Sequence, residues 1–245
     1  MGAEKSRKRY LDTLTHLILW HDLTQDIFDP ASPAYKSIHL VRSLHDKVQG
    51  DMSEAASTNN NASSTERFSL FVSQYDLALV QSGFIGPIIL HPQYLGINTD
   101  CKTLEDYLYF WRVIGNILGI QDQFNICGSN SLQISARICK EIEQDIIVQG
   151  LMENSYQYRR LSDDMMTGFQ SMVPWLSKEL IFAYIYPHMG IRFDTSQLSW
   201  TCWFRLQWLR FHFWLMAFWG GYRRWVNEKA RKNGAAMMKP SAGSC

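Results

Sequence analysis

One histidine in this chain lies at a position from which its side chain could bind a metal or a cofactor. His45 lies in the segment SPAYKSIHLVRSLHDKVQG, residues 32–50, where apolar residues recur every three or four positions. That spacing predicts a helix with one buried stripe, and His45 lies on the stripe. The other members of the stripe are Ala34, Ile38, Val41 and Val48. An imidazole placed there is either a core histidine with a backbone partner or the ligand of a metal or haem iron.

Arg9 and Thr13 form a second candidate pair. They are four residues apart in a segment of helical periodicity, so their side chains are neighbours on one side of the helix. From spacing alone the simpler interpretation is a solvated edge beside an apolar face. Four further histidines remain alternative ligands: His16, His39, His91 and His188.

Helices must position these residues, and their expected ends can be read from the sequence. Ser32 and Pro33 predict the start of the His45 helix, and Gly50 predicts its end. A first helix is expected at about residues 8–21. Another covers residues 103–120, with an apolar face and a glycine in the middle, Gly115. Because glycine weakens a helix, Gly115 indicates close packing of another helix or of a flat ligand.

Composition limits the classes of function. The chain has 245 residues, 46% hydrophobic and 19% charged, which is enough for one sizeable core. Its net charge of +1 argues against a dedicated nucleic-acid binder, because neutralising phosphates needs a concentrated excess of Lys and Arg. Five cysteines without a CxxC pair predict neither a disulfide framework nor a zinc knuckle, and favour a reducing environment.

We predict a single all-α domain over residues 1–225, since no strand pattern is evident. A Ser/Asn/Ala-rich stretch at 51–65 is expected to be a mobile surface loop. Residues 200–225 hold six of the nine tryptophans and are interrupted by arginines, and the uncharged run 211–222 is shorter than the ~20 residues needed to cross a bilayer. This composition is typical of a helix at a membrane interface, and a helix that caps a haem or lipid pocket would use the same residues. The basic to small-residue tail 226–245 is expected to be disordered.

Four stretches of the sequence resemble a known family. They are RYLDT (9–13), KSIHLVRSLHDKV (36–48), SQYDLALVQSGFIG (73–86) and FWRVIGNILGIQDQFNIC (110–127). These are similar to animal members of the family that joins the bacterial rubber oxygenase, or latex-clearing protein, with the endoplasmic-reticulum-bound oxygenase mpaB of the fungal mycophenolic acid pathway. The resemblance extends over most of residues 8–220, and the last stretch is its most specific part.

The resemblance implies a multi-helix bundle that holds one b-type haem and uses dioxygen to cleave a double bond of an isoprenoid-like substrate. It implies His45 as the iron ligand. It implies Arg9 and Thr13 as the catalytic pair beside the haem, and Arg42 and Gly115 as further cofactor contacts. The expected role of Arg9 is to stabilise the negative charge that develops on bound oxygen.

Two departures from the family pattern alter these expectations. Asp12 stands where the rubber oxygenase has a basic residue, so chemistry assisted by a lysine is not expected here. Residues that precede the arginine in full-length relatives are missing, which predicts an N-terminally shortened chain with an open haem pocket. The expected location is intracellular, at the endoplasmic reticulum or another membrane.

Two functions from different classes follow. The first is a haem-dependent oxygenase or oxidoreductase, whose partners are dioxygen and a lipophilic small molecule, with peripheral membrane contact through residues 200–225. The second is a non-catalytic helical protein that keeps the fold and docks on membranes. A serine or cysteine hydrolase is not supported, because the sequence has no GxSxG motif and no placed Cys/His/Asn set.

Overall fold

A computed structural model of the chain describes residues 3–22, 24–58, 73–98, 100–129, 131–153 and 155–237. Within these ranges the chain consists of helices and short connections, without a strand, which confirms the all-α class. The α-helices are α1 (Ala3–Trp20), α2 (Pro33–Thr58), α3 (Gln74–Leu90), α4 (Cys101–Leu118), α5 (Leu132–Ile142), α6 (Gln149–Glu153), α7 (Tyr156–Met172), α8 (Lys178–Ile185), α9 (Trp200–Phe218) and α10 (Gly220–Met237).

Shorter helical turns connect some of these elements. The turns Pro92–Leu95, Tyr186–Met189 and Thr195–Gln197 are 3₁₀-helical. Between α5 and α6 the segment Glu143–Val148 is a π-helix, with i→i+5 hydrogen bonds and therefore a wider turn.

Helix α2 begins as predicted but ends later. Ser32 Oγ accepts a hydrogen bond from the Ala34 amide at 3.1 Å, so Ser32 caps the first turn. The helix then continues through Gly50 to Thr58. Glycine inside a helix costs only about 1 kcal/mol, and the residues that follow include Met, Glu and two Ala, which favour helix. The first part of the predicted loop at 51–65 is therefore helical, and residues 59–65 lie outside the described residues.

The aromatic C-terminal segment consists of two helices rather than one. Helix α9 ends at Phe218, Trp219 is extended with φ −114°, and α10 begins at Gly220. Helix α10 then runs to Met237, so the first half of the tail predicted to be disordered is helical, and residues 238–245 lie outside the described residues. The sequence NEKARKNGAAM is rich in helix formers, which explains why α10 persists.

The chain packs as two compact units. Unit 1 comprises Met1–Ile18, Gly86–Asp100 and Cys139–Cys245, and unit 2 comprises Leu19–Ile85 and Cys101–Ile138. The single domain over residues 1–225 stays a prediction.

The core of unit 1 lies between α8 and α9. Leu180, Ala183 and Tyr184 of α8 pack against Cys202, Leu206 and Leu209 of α9. The residues that α9 turns towards this core are three or four positions apart, as one face of a helix requires. Unit 1 is therefore organised around one side of α9.

The core of unit 2 lies between α2 and α4. Ala34 and Ile38 of α2 are fully buried, as are Leu108 and Ile114 of α4. Trp20, at the end of α1, donates from Nε1 to Ser37 Oγ at 2.9 Å. The apolar stripe predicted for α2 is thus confirmed over its first two turns.

Among the described helices, none has both the length and the apolar content required to cross a bilayer. This agrees with the expectation that residues 200–225 do not span a membrane.

Candidate functional site

His45 lies where the buried stripe of α2 approaches the surface. Val41 and His45 are half-buried, whereas Val48, one turn further on, is exposed. The Nδ1 atom of His45 is buried and has no hydrogen-bond partner among the described residues. A core histidine would be expected to have such a partner, because burying an unpaired polar atom is costly.

The electrostatics of His45 favour the neutral imidazole. Burial lowers its pKa below the ordinary 6.5; Asp46 acts in the opposite direction, and Arg42 adds to the lowering. A neutral ring nitrogen with a free lone pair is the form that binds a metal. The unpaired nitrogen and the neutral charge state of His45 are both compatible with a ligand.

Arg42, one turn before His45, is held by two contacts in unit 2. Its Nε donates to Asp46 at 3.0 Å. Its guanidinium also lies against Gly119, which has φ +98°, and a Cβ atom there would be 1.6 Å from Arg42 Nη1. Gly119 therefore allows the close approach of Arg42, and the left-handed backbone favours glycine for a second reason. The cofactor contact expected of Arg42 stays a prediction.

Gly115 allows close packing of side chains inside unit 2. A Cβ atom at Gly115 would lie 2.6 Å from Gln81 Nε2 and 3.0 Å from Asn125 Nδ2. Side-chain amides thus occupy the space beside this mid-helix glycine, and the cofactor contact expected of Gly115 stays a prediction.

Those two amides form the centre of a buried hydrogen-bond network, which we call the Asn125 network. Gln81 Nε2 donates to Asn125 Oδ1 at 3.0 Å and to the Trp111 carbonyl at 3.1 Å, and Gln81 Oε1 accepts from the Ile126 amide. Asn125 Oδ1 also accepts from the Cys127 amide at 3.1 Å. Asn125 Nδ2 donates to the carbonyl of Arg112 and to Asn116 Oδ1, each at 3.0 Å.

Arg9 and Thr13 lie one turn apart on α1 in unit 1, as their spacing predicts. Both side chains are exposed, and Thr13 Oγ1 donates to the Arg9 carbonyl at 2.9 Å. The hydroxyl proton of Thr13 is therefore engaged within its own helix. His45 belongs to unit 2, and the catalytic roles of Arg9 and Thr13 stay predictions.

The alternative ligands differ in their surroundings. His39 is exposed and lies against the Tyr35 ring, with centroids 4.0 Å apart. His91 Nε2 is 2.7 Å from Glu143 Oε2. Burial lowers the pKa of His16 and of His188. Like His45, His188 has a buried ring nitrogen, Nε2, without a hydrogen-bond partner in the described part of the chain.

A cavity of about 900 Å³ lies in unit 1 beside His188. Its walls come from the 92–98 segment, from the turn that follows α8, and from the second half of α9. Sequence reasoning missed this site. His188 and Arg210 were visible as single residues, but they are 22 positions apart, and only the packing of α8 on α9 brings them to one cavity.

In the described ranges, no group of three or more His, Cys, Asp or Glu side chains is placed to hold a metal ion directly. A haem iron differs, because its porphyrin supplies four nitrogens and the protein needs to supply only one ligand. A single histidine such as His45 can therefore supply the protein ligand of a haem iron.

Comparisons with known proteins identify no relative. No protein-family model matches the chain, and no curated protein or solved structure matches it either. The family resemblance and the haem-binding type of helical bundle therefore stay predictions.

Proposed function

We propose that this chain is a haem-dependent oxygenase for a lipophilic substrate, with His45 as the protein ligand of the iron. One observation carries the proposal: the imidazole of His45 presents a buried nitrogen that has no partner among the described residues. Its lowered pKa keeps the ring neutral near pH 7, and a neutral ring can bind metal without first losing a proton.

Haem b, when bound, would supply the activation of dioxygen, which no amino-acid side chain performs. The chain would supply position and charge. The buried residues Ala34 and Ile38 anchor helix α2, which carries the His45 ring. Asp46 holds the neighbouring guanidinium of Arg42. We assign Gly115 a packing role, because the amides of the Asn125 network lie against it.

The test is the absorption spectrum of the purified chain after haem addition. We expect a Soret band for the wild type and for His39→Ala, and loss of tightly bound haem for His45→Ala. His39 is the matched control, because it lies on the same helix but is exposed. Equal haem retention by the two variants, at equal helicity, would show that His45 is not the ligand.

A second function is favoured by an independent observation on α9. This helix has an exposed aromatic face opposite its buried side. The aromatic face consists of Trp200, Trp203, Phe204, Trp208, Phe211, Trp214 and Phe218, each at least 41% exposed. Arg205 and Arg210 lie at its two borders by helical spacing. Aromatic rings flanked by arginines are typical of helices that lie in a membrane interface.

We propose that the aromatic face docks on a lipid surface, with or without catalysis. Vesicles containing anionic lipid should bind the wild type and release it in carbonate or high salt. Trp208→Ser should weaken vesicle binding, because Trp208 lies midway along the face and is 61% exposed. Tyr109→Ser provides a control outside the face, because Tyr109 is an aromatic residue of α4 that is 63% exposed. Equal binding by Trp208→Ser and wild type would contradict the proposal.

A further inference from the structure

The cavity of unit 1 combines apolar walls with two polar groups at one place. Its apolar lining includes Ile97, Phe213, Trp214 and Phe218. A volume of about 900 Å³ is within the range of sites for small organic molecules. The lining therefore suits a ligand with a long apolar body.

The two polar groups are cationic or able to donate. Arg210 lines the cavity and has neither an ion pair nor a hydrogen bond among the described residues. It lines the same cavity as Tyr184 and His188. Burial raises the pKa of Tyr184 and lowers that of His188, and the charge of Arg210 acts to lower both. His188 Nε2 is buried without a partner, and with its proton on Nε2 this ring donates a hydrogen bond.

The other polar groups nearby do not attract an anion. The Tyr184 hydroxyl donates to the Tyr94 carbonyl, and the Tyr94 and His188 rings stack with centroids 3.5 Å apart. Glu143, a buried carboxylate of this unit, accepts from Lys140 and pairs with His91, each at 2.7 Å. Gln93 also lines the cavity, as a neutral amide. Arg210 and His188 are therefore the groups that suit an anion.

Two features limit the class of anion. One guanidinium with one neutral imidazole matches a single negative charge, whereas a phosphate dianion would leave charge uncompensated in a partly apolar site. Trp214 and Phe218 line the cavity and also belong to the aromatic face, so a ligand with an apolar chain can enter from a lipid surface.

We propose that the unit 1 cavity binds a single-chain lipophilic carboxylate of the fatty-acid class, with its carboxylate at Arg210 and His188 and its chain along Trp214 and Phe218. This site is separate from the residues assigned to haem, so neither proposal depends on the other.

The test is a calorimetric titration of the haem-free full chain with oleate, below the concentration at which oleate forms micelles. We expect saturable binding of one oleate per chain. Methyl oleate, which has the same chain without the charge, should bind at least tenfold more weakly, since losing a charge-assisted hydrogen bond is worth about a factor of ten or more. Comparable binding of oleate and methyl oleate would overturn the proposal without any variant.

Variants on α9 locate the site. Arg210→Gln should weaken oleate binding about tenfold, and Arg205→Gln should leave it within about twofold. The two substitutions remove the same charge from the same helix, but Arg205 is outside the cavity, where it donates to the Trp175 carbonyl at 3.3 Å. Equal loss in both variants would indicate general attraction of anions and would overturn the site.

Trp208→Ser separates the cavity from the aromatic face. Trp208 belongs to the face but does not line the cavity. Oleate affinity in Trp208→Ser should equal that of the wild type, and a loss as large as that of Arg210→Gln would mean that oleate adsorbs to the face instead.

Discussion

The Asn125 network and helix α9 use their polar and apolar groups in opposite ways. In the Asn125 network the amides of Gln81 and Asn125 satisfy each other and the backbone around them, and apolar residues enclose both. Helix α9 covers one apolar side with the core of unit 1 and leaves the other, the aromatic face, exposed. The first region specifies a structure, whereas the second has apolar surface left for a partner.

This difference separates residues that maintain the fold from residues available for binding. Substitutions in the Asn125 network should affect stability first, since each amide serves several hydrogen bonds. Substitutions on the aromatic face should affect lipid binding and leave stability nearly unchanged. The predictions below test the contrast, beginning with the largest effect.

Asn125→Ala should lower the free energy of unfolding by about 3–5 kcal/mol. The substitution removes four hydrogen bonds of the Asn125 side chain at once, each worth about 0.5–1.5 kcal/mol. Chemical denaturation followed by circular dichroism measures the change.

Asn98→Ala is the matched control in unit 1. Its amide makes one described hydrogen bond, to the Ala217 carbonyl at 3.0 Å, and the residue is exposed. The expected loss is about 1 kcal/mol or less. A loss at Asn98 as large as that at Asn125 would remove the distinction between the two regions.

Gly115→Ala should cost about 1–3 kcal/mol despite the higher helix propensity of alanine. The added Cβ would lie 2.6 Å from Gln81 Nε2, so the amide must move from a site where it makes two donor bonds. Gly83→Ala on α3 is the control, since nothing lies within 4 Å of a Cβ there. We expect it to be neutral or stabilising by up to about 1 kcal/mol, and a similar penalty at both glycines would refute the packing role of Gly115.

Acidification should destabilise the chain in two separate pH windows. We expect this loss of stability to be the smallest of the three predicted effects. Burial lowers the folded-state pKa of His45 below 6.5, so the unfolded chain takes up the proton first and stability falls as pH drops below 6.5. Burial raises the pKa of Glu143, but hydrogen bonds from Lys140 and His91 outweigh it, and the net lowering below 4.5 places a second loss under that pH.

Two variants test the contribution of His45 and of Glu143 to these windows. His45→Gln should reduce the loss of stability below pH 6.5 only in part, because burial also lowers the pKa values of His16, His188 and His212. Glu143→Gln should flatten the decline below pH 4.5. Unfolding curves recorded from pH 7 to pH 3 measure both, and unchanged slopes in both variants would contradict the assignment.

Local patterns in the sequence were sufficient to predict most helices and their buried sides. The Ser32 cap and the Ala34–Ile38 stripe depend on residues within two turns, and both are present in the structure. The helix end predicted at Gly50 was wrong, because a single glycine only weakens a helix and the residues on either side decide whether the helix continues. The break at Trp219 was missed for a related reason, since it lies inside a run of uniform aromatic composition.

Contacts between distant residues could not be predicted in this way. Gln81 and Asn125 are 44 positions apart, and nothing in either neighbourhood indicates that their amides meet. The short motif FNIC contains Asn125 and was marked only by family resemblance. The cavity at Arg210 depends on three separate segments and has no signature along the chain.

The π-helical segment Glu143–Val148 affects which single-residue deletions the chain can tolerate. Deleting one residue from an α-helix rotates everything that follows by about 100°, which moves a buried side to the surface. A π turn contains a residue more than an α turn, so a deletion there can be absorbed by conversion to α-helix. Residues 144–148 are thus the place in this helical stretch where length variation is best tolerated, and a deletion within them leaves Glu143 paired with His91.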